Sequence, residues 1–388
     1  MAELALLFVL LPLAAVSGWL LGLGSKRRRM RQRKALSSQY FRGLNYLLNE
    51  ESDKAIEEFL QLAEVNRDTV DTHLALGTLF RRRGEMDKAI RYHTHILARP
   101  NLEDEQRERV LFELGLDYAR SGLLDRAERL FLELTDSREV GVASRRHLLD
   151  IYLQQKDWAQ AIEQAQRLEF VHGEPTSGLV AQLHCELADA ALATDAVEAA
   201  CRCLRQARRF DPAIARARLI EAGIALREGR MEGAAERYRK AVELDADLLV
   251  NWADAIVQCH RASDAMPVLE EWLAELARRT DLHMPGLLLA RLVAESDPQR
   301  AGKLLLATLQ QRSSVRGLAL LMELLQTSEL GLEDVGPELI GDLMGALMER
   351  EPIHRCQNCG YSGRAHHWMC PSCRSWNSTR VIRGVLGE

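Results

Sequence analysis

The sequence predicts an all-α chain: a superhelical solenoid of paired helices, preceded by one transmembrane helix and closed by a small four-cysteine knuckle. Three observations predict it. A twenty-residue stretch near the start holds no charge, a pattern of small and large residues recurs every thirty-four positions, and two Cys-x-x-Cys pairs stand close together near the end.

The 388 residues are 47% apolar but only 5% aromatic, with Ala, Leu, Glu and Arg abundant. That mixture favours helices packed through small and aliphatic side chains. The formal net charge of -5 is unevenly spread. Residues 1–34 carry seven Lys or Arg against one Glu, for +6, so the remainder carries -11. A body that acidic is repelled by phosphate backbones, which sets nucleic-acid binding by the whole chain aside.

From Leu4 to Leu23 the chain reads LALLFVLLPLAAVSGWLLGL. At about 1.5 Å rise per residue a helix of that length spans roughly 30 Å, the hydrocarbon thickness of a bilayer. Pro12, Gly18 and Gly22 are tolerated in lipid, and Trp19 suits the interface. A cleaved signal peptide needs its basic residues before the apolar stretch. Here Glu3 precedes it and SKRRRMRQRK follows it. The positive-inside rule then predicts an uncleaved anchor, N-terminus out, with everything after Lys26 cytosolic. The basic run is read as a topology signal beside anionic headgroups.

Aligning the chain with itself exposes the repeat. Gly43, Tyr46, Ala55 and Phe59 return thirty-four residues later as Gly77, Phe80, Ala89 and His93, then as Gly115, Tyr118, Ala127 and Phe131 after a short insertion near Pro100. Tyr152, Ala161 and Ala165 continue the period. Ala188, Ala200 and Ala207 make a fifth unit, and Ala222, Ala234, Tyr238 and Ala241 a sixth. Trp252, Cys259, Val268 and Trp272 suggest a worn seventh. Small residues let two antiparallel helices approach, and large ones fill the space between neighbours. Arg83-Gly84-Glu85, Ser121-Gly122 and Glu228-Gly229-Arg230 supply the turns. The pattern resembles the tetratricopeptide repeat, without most of the Trp expected early in the first helix.

Such arrays present a groove to peptides or helices of partner proteins. Arg81, Arg82 and Arg120 either line that groove and meet an acidic partner or are solvated charges. Residues 281–350 stay helical in pattern but lose the period, punctuated by Pro285, Pro298 and Pro337, and are expected to cap the array. No Gly-rich phosphate loop, HExxH or G-x-S-x-G element occurs.

Of eight cysteines, Cys185, Cys201, Cys203 and Cys259 are scattered through helical sequence and are expected to be small buried hydrophobes. Cys356, Cys359, Cys370 and Cys373 fall within eighteen residues. Each Cys-x-x-Cys can turn both thiolates onto one metal, and Gly360 and Pro371 suit that turn. Two such turns give tetrahedral S4 coordination, and a segment this short needs a metal to stay folded. The site is therefore expected to hold one metal ion, iron or zinc, with no open position for a substrate. The knuckles resemble rubredoxin in a reduced version. His354, His366 and His367 are expected to support the site rather than ligate it, with Tyr361, Trp368 and Trp376 as its apolar cover.

The organisation expected is an anchor over 1–24, a basic juxtamembrane segment over 25–34, repeats over 35–280, a degenerate cap over 281–350 and a rubredoxin-like metal-binding domain over 351–388. An anchor, a repeat array and a reduced rubredoxin-like end, in that order, resemble the lipopolysaccharide assembly protein B family. The string Cys-Pro-Ser-Cys-Arg-x-Trp at Cys370 to Trp376, the closing Ile382-Arg383-Gly384 and Thr78-Leu79-Phe80-Arg81 carry the resemblance. It implies a non-enzymatic adaptor in the inner membrane of Gram-negative bacteria. The expected partners are a membrane AAA+ protease and its client, the UDP-acyl-N-acetylglucosamine deacetylase that commits precursor to lipid A, with other inner-membrane lipopolysaccharide regulators alongside. It also implies that the four cysteines are the metal ligands. The oligomeric state is left open.

Two other classes stand beside that reading. One is electron transfer through iron in the knuckle. The other is RNA binding by a zinc-ribbon scaffold, since residues 351–388 carry five Arg against two Glu and several aromatics.

Overall fold

The computed structural model describes residues 70–100, 102–311, 314–327 and 352–383, with seven further positions between 42 and 58. The expected anchor, the basic segment, most of the first repeat, residues 328–351 and the last five residues lie outside the described residues. Among the described residues, no helix is long and apolar enough to cross a membrane. The chain divides into two compact units, 1–164 and 165–388.

The first unit contains α1 (Val70–Arg82), α2 (Met86–Leu97), α3 (Asp104–Arg120), α4 (Leu124–Glu133) and α5 (Gly141–Gln155). Helix α6 (Trp158–His172) crosses the division. The small and large positions of the repeat meet as the sequence predicts. A Cβ on Gly77 would lie 2.2 Å from the His93 ring, and one on Gly115 would lie 2.8 Å from the Phe131 ring. Gly77 and Gly115 therefore each make room for the large residue sixteen positions on. Ala89, Ala127 and Ala161 are fully buried, as their small-residue role requires.

The turn inside each pair is built by one device. Glu85, Leu123 and Asp157 donate their N–H to the carbonyls of Phe80, Tyr118 and Tyr152, each at 2.9 Å. These are the six-to-one bonds of a Schellman motif, which closes the first helix through one left-handed residue. Gly84 holds that place at φ 82°, Gly122 at 76° and Lys156 at 59°. The second unit repeats the bond at 2.9 Å from Ala196 to Ala191, Arg230 to Ala225 and Ala265 to His260. There Asp195, Gly229 and Asp264 occupy the left-handed position.

Arg81 overturns one expectation. It does not line a groove, because it is buried. Its guanidinium donates to Asp117 Oδ1 at 2.8 Å and to Glu113 Oε2 at 2.5 Å. Helix α3 offers those carboxylates one turn apart, and Asp117 also accepts from His93 Nδ1 at 2.5 Å. A buried cation is held only where such partners meet it. Arg82 and Arg120 are exposed.

The second unit pairs α7 (Ser177–Ala193) with α8 (Val197–Phe210), α9 (Ala215–Arg227) with α10 (Met231–Leu244), and α11 (Leu249–Ala262) with α12 (Met266–Arg279). Ala188, Ala200 and Ala207 are fully buried in one core, and Ala222, Ala234, Tyr238 and Ala241 lie in the next. The seventh pair exists, but α12 buries Leu269, Leu273 and Leu276. Those are one residue beyond the expected register, so Val268 is 47% exposed. Helix α11 is one residue longer than α9, which shifts the helix that follows. Cys185 and Cys259 are buried as expected, whereas Cys201 and Cys203 are only half-buried. Both lie on the margin of α8, whose other face meets solvent.

Three more helices follow: α13 (Met284–Ala294), α14 (Pro298–Gln311) and α15 (Val315–Thr327). Pro285 and Pro298 stand in the first turns of α13 and α14, where a missing N–H costs nothing. The knuckle then forms a three-stranded antiparallel sheet of β1 (His354–Cys356), β2 (Ser362–Gly363) and β3 (Thr379–Val381), in the order β2-β1-β3.

Candidate metal centre

The two Cys-x-x-Cys segments fold into near-identical loops. In the first, Cys356 N–H donates to Tyr361 O at 2.7 Å and Gly360 N–H returns to Cys356 O at 2.9 Å. In the second, Cys370 N–H donates to Ser375 O and Arg374 N–H returns to Cys370 O, both at 2.9 Å. The residue after the second cysteine must be left-handed to close the loop. Gly360 takes φ 77° freely, and Arg374 takes 58° at a steric cost.

The loops bring the four sulfurs to within 4.8 Å of one another. Cys356 and Cys373 Sγ lie 3.7 Å apart, as do Cys359 and Cys370 Sγ. A tetrahedron of thiolates about 2.3 Å from a central ion has edges of about 3.8 Å, so this donor set fits one metal ion. Cys356 and Cys370 are buried, Cys373 is half-buried and Cys359 is exposed.

Hydrogen-bond donors surround the sulfurs. Ser378 Oγ lies 3.3 Å from Cys356 Sγ and Ser375 Oγ 3.4 Å from Cys373 Sγ, both within hydrogen-bond reach, and Asn358 Nδ2 donates to Cys373 Sγ at 3.6 Å. Ser375, through its hydroxyl and its N–H, and then Asn358 hold Cys373 down at about 5. Ser378 and the N–H of Cys359 lower Cys356 in the same sense. Although the Cys373 N–H favours its thiolate, Cys370 is pushed up to about 11 by burial and by the neighbouring sulfurs. Such donors favour thiolate, the form that binds metal.

The histidines do not join the sulfur cluster. His354 is 1% exposed and bridges the knuckle to the repeats. Its Nε2 accepts from Asn251 Nδ2 at 3.2 Å while its Nδ1–H donates to Arg364 O at 3.1 Å, which fixes the neutral tautomer. His366 meets Trp252 edge-on at 6.1 Å and Trp368 at 4.6 Å. Burial pushes His366 down to about 4. Trp368, expected as a lid for the thiols, packs on the repeat core beside Trp252, with the Arg216 guanidinium 5.6 Å from its ring centre. Tyr361 packs against His367 and Gly363, and Trp376 pairs with Met369 across an isolated bridge.

Two ion pairs complete the docking. Arg380 reaches Asp245 at 2.5 Å and Arg383 reaches Asp247 at 2.8 Å. The sequence marks Arg383 only as part of the closing string, and nothing local announces Asp245, Asp247, Asn251 or Arg216 as its neighbours. The signal is the Asp-x-Asp spacing between α10 and α11, which is legible only once the knuckle is placed.

Fold and site define a tetratricopeptide-repeat protein that carries a rubredoxin-like four-thiol knuckle on its C-terminal helices. Family profiles agree: the rubredoxin metal binding domain matches residues 354–380, and the tetratricopeptide repeat matches 42–93, 112–173 and 185–248. The chain is 32% identical over 387 residues to lipopolysaccharide assembly protein B of Escherichia coli K12, covering 99% of this chain and 100% of that one. It is 29% identical over 391 residues to the protein of the same name from Haemophilus influenzae, covering 97% and 98%. The chain belongs to the lipopolysaccharide assembly protein B family. Among solved structures, the C-terminal part of a repeat protein from Cytophaga hutchinsonii is 14% identical with a TM-score of 0.38, covering 68% of this chain and 98% of that one.

Proposed function

We propose that this chain is an inner-membrane adaptor that restrains lipopolysaccharide synthesis. In this reading it promotes degradation of the UDP-acyl-N-acetylglucosamine deacetylase, which commits precursor to lipid A, by a membrane AAA+ protease. The end-to-end match to relatives named lipopolysaccharide assembly protein B carries the reading. The physical features suit it. A tether through the uncharged stretch Leu4–Leu23 raises the effective concentration of the scaffold beside a membrane protease. Repeat helices supply a surface for a soluble client.

In the same proposal Cys356, Cys359, Cys370 and Cys373 hold one metal ion. Four protein thiolates close the coordination sphere, so the ion is structural and the protein is not an enzyme. Its role is to keep the knuckle folded against α9–α11, where Asp245, Asn251 and Trp252 receive it.

The test is depletion of the protein in its host while following the half-life of the deacetylase. The deacetylase is expected to become long-lived and to accumulate, and Cys370→Ser is expected to reproduce the effect. An unchanged half-life would overturn the adaptor reading and leave the repeat scaffold with its knuckle.

A further inference from the structure

Away from the knuckle, a cavity of about 300 Å³ opens among α8, α9 and α10. Its walls carry six cations: Arg205 and Arg208 from α8, Arg218 from α9, Arg230 from the following turn, and Arg237 and Lys240 from α10. Two carboxylates, Glu221 and Glu236, stand among them. Glu221 is shared between Arg208 at 3.2 Å and Arg218 at 3.4 Å. Glu236 pairs with Lys240 at 2.6 Å, and Arg230 pairs with Glu228 just outside the cavity. Arg237 donates to the Gly233 carbonyl at 2.7 Å, and Arg205 has no ion pair among the described residues. Six cations therefore meet three carboxylates, on a chain whose formal net charge is -5.

One donor is left over inside this cluster. Arg208 Nε is buried and has no hydrogen-bond acceptor. Buried N–H groups are nearly always paired, so the Arg208 fork is left incompletely satisfied beside guanidinium groups that outnumber their carboxylates, an excess of positive charge that suits an anion. Planar forks converging from three helices match a tetrahedral group whose oxygens accept from several directions. Cys201 and Ile224 add an apolar wall for whatever carries the charge.

We propose that this cavity binds a phosphate-bearing anion, a phosphomonoester or diphosphate group. The group accepts from Arg205, Arg208 and Arg237, while Glu221 holds Arg208 and Arg218 in position. This site is independent of the adaptor reading and of the metal knuckle. The phosphate comes either from a soluble metabolite or from a phospholipid headgroup, and both present the same chemistry to the arginines.

The test uses the full chain in a non-ionic detergent at low salt, titrated with inorganic pyrophosphate in a calorimeter. Saturable binding that weakens as salt rises is expected. Arg205→Glu, a surface change that breaks no ion pair, is expected to weaken it at least about tenfold with an unchanged melting temperature. Arg237→Ser should act in the same direction. Short-chain phosphatidic acid then competes against short-chain phosphatidylcholine. Displacement of pyrophosphate by the acid alone assigns the site to a lipid headgroup, and no displacement by either assigns it to a soluble phosphate. No saturable binding, or binding that Arg205→Glu leaves unchanged, overturns the proposal, since the latter would place the anion on the basic run near Lys26.

Discussion

Arg380 Nη1 lies 2.5 Å from Asp245 Oδ2, joining β3 of the knuckle to the turn after α10 across 135 residues of chain. Arg383 and Asp247 repeat the arrangement at 2.8 Å. The Asp245 turn is itself ordered, since its side chain accepts from Asp247 N–H. Asp245 and Arg380 are both partly shielded, so the pair is expected to exceed an exposed salt bridge. A double-mutant cycle with Asp245→Ala and Arg380→Ala should give a coupling of about 1 kcal/mol. Hydrogen exchange should quicken at the Cys356 and Ile382 amides in either variant, while the amides of α1–α4 stay unchanged.

Metal removal should separate the knuckle from the repeats. Strands of three, two and three residues cannot hold a sheet unaided, so the thiolate cluster supplies the stability that a core would otherwise give. Chelation under reducing conditions should release one ion per chain, and Trp252 and Trp368 emission should shift as their contact opens. Cys370→Ser should cost more metal affinity than Cys359→Ser, because Cys370 is buried and Cys359 is exposed to water that can replace its sulfur.

The parts of this protein written in short-range pattern were legible. The thirty-four-residue period located Gly77 against His93 and Gly115 against Phe131, because small and large partners repeat at fixed separation. The paired cysteines announced the sulfur cluster in the same way. What escaped depended on who stands opposite. Arg81 read as a groove or a solvated charge because Asp117 is thirty-six residues away, on the next repeat. Arg374 and Lys156 adopt left-handed backbones that their residue types do not advertise. Trp368 read as a lid for the metal, since its partner Trp252 belongs to a different element altogether.

The Asp117 cluster gives a second stability prediction. Asp117 is fully buried and accepts from Arg81 and from His93, so Asp117→Ala leaves a buried guanidinium with Glu113 alone and His93 Nδ1–H with nothing. Removing one partner of such a set costs about 3–5 kcal/mol. Replacing the set together, as Arg81→Met, His93→Phe and Asp117→Leu, should cost less, because no charge is then stranded. Phe at position 93 also matches Phe131 of the next repeat. Urea unfolding of the three forms should place the triple variant between wild type and Asp117→Ala.

The docking face should also loosen in acid. Burial, then the nearby His354 and His367, and then Arg380 and Arg216 push His366 down to about 4, while an unfolded histidine titrates near 6.5. The unfolded state therefore binds more protons between those values, and stability falls as pH drops from about 6.5 toward 4. His366→Gln should flatten that slope without altering stability at neutral pH by a similar amount. The comparison is made between the variant and wild type at each pH, so that any loss of metal in acid is common to both.

The Schellman turns described above predict opposite effects for two exchanges at one structural position. Gly84 at φ 82° closes α1 before α2, and Lys156 at 59° closes α5 before α6. A side chain in the left-handed region costs about 1–2 kcal/mol, partly offset because glycine loses more freedom on folding. Gly84→Ala should therefore destabilise by about 1 kcal/mol, although a Cβ there would touch nothing within 4 Å. Lys156→Gly should relieve the same strain and stabilise by up to about 1 kcal/mol. The two turns share no partners, so the double variant should return near wild type by additivity. Denaturation midpoints of the three variants check this. Destabilisation by Lys156→Gly would mean that the lysine side chain, and not the backbone conformation, holds that turn.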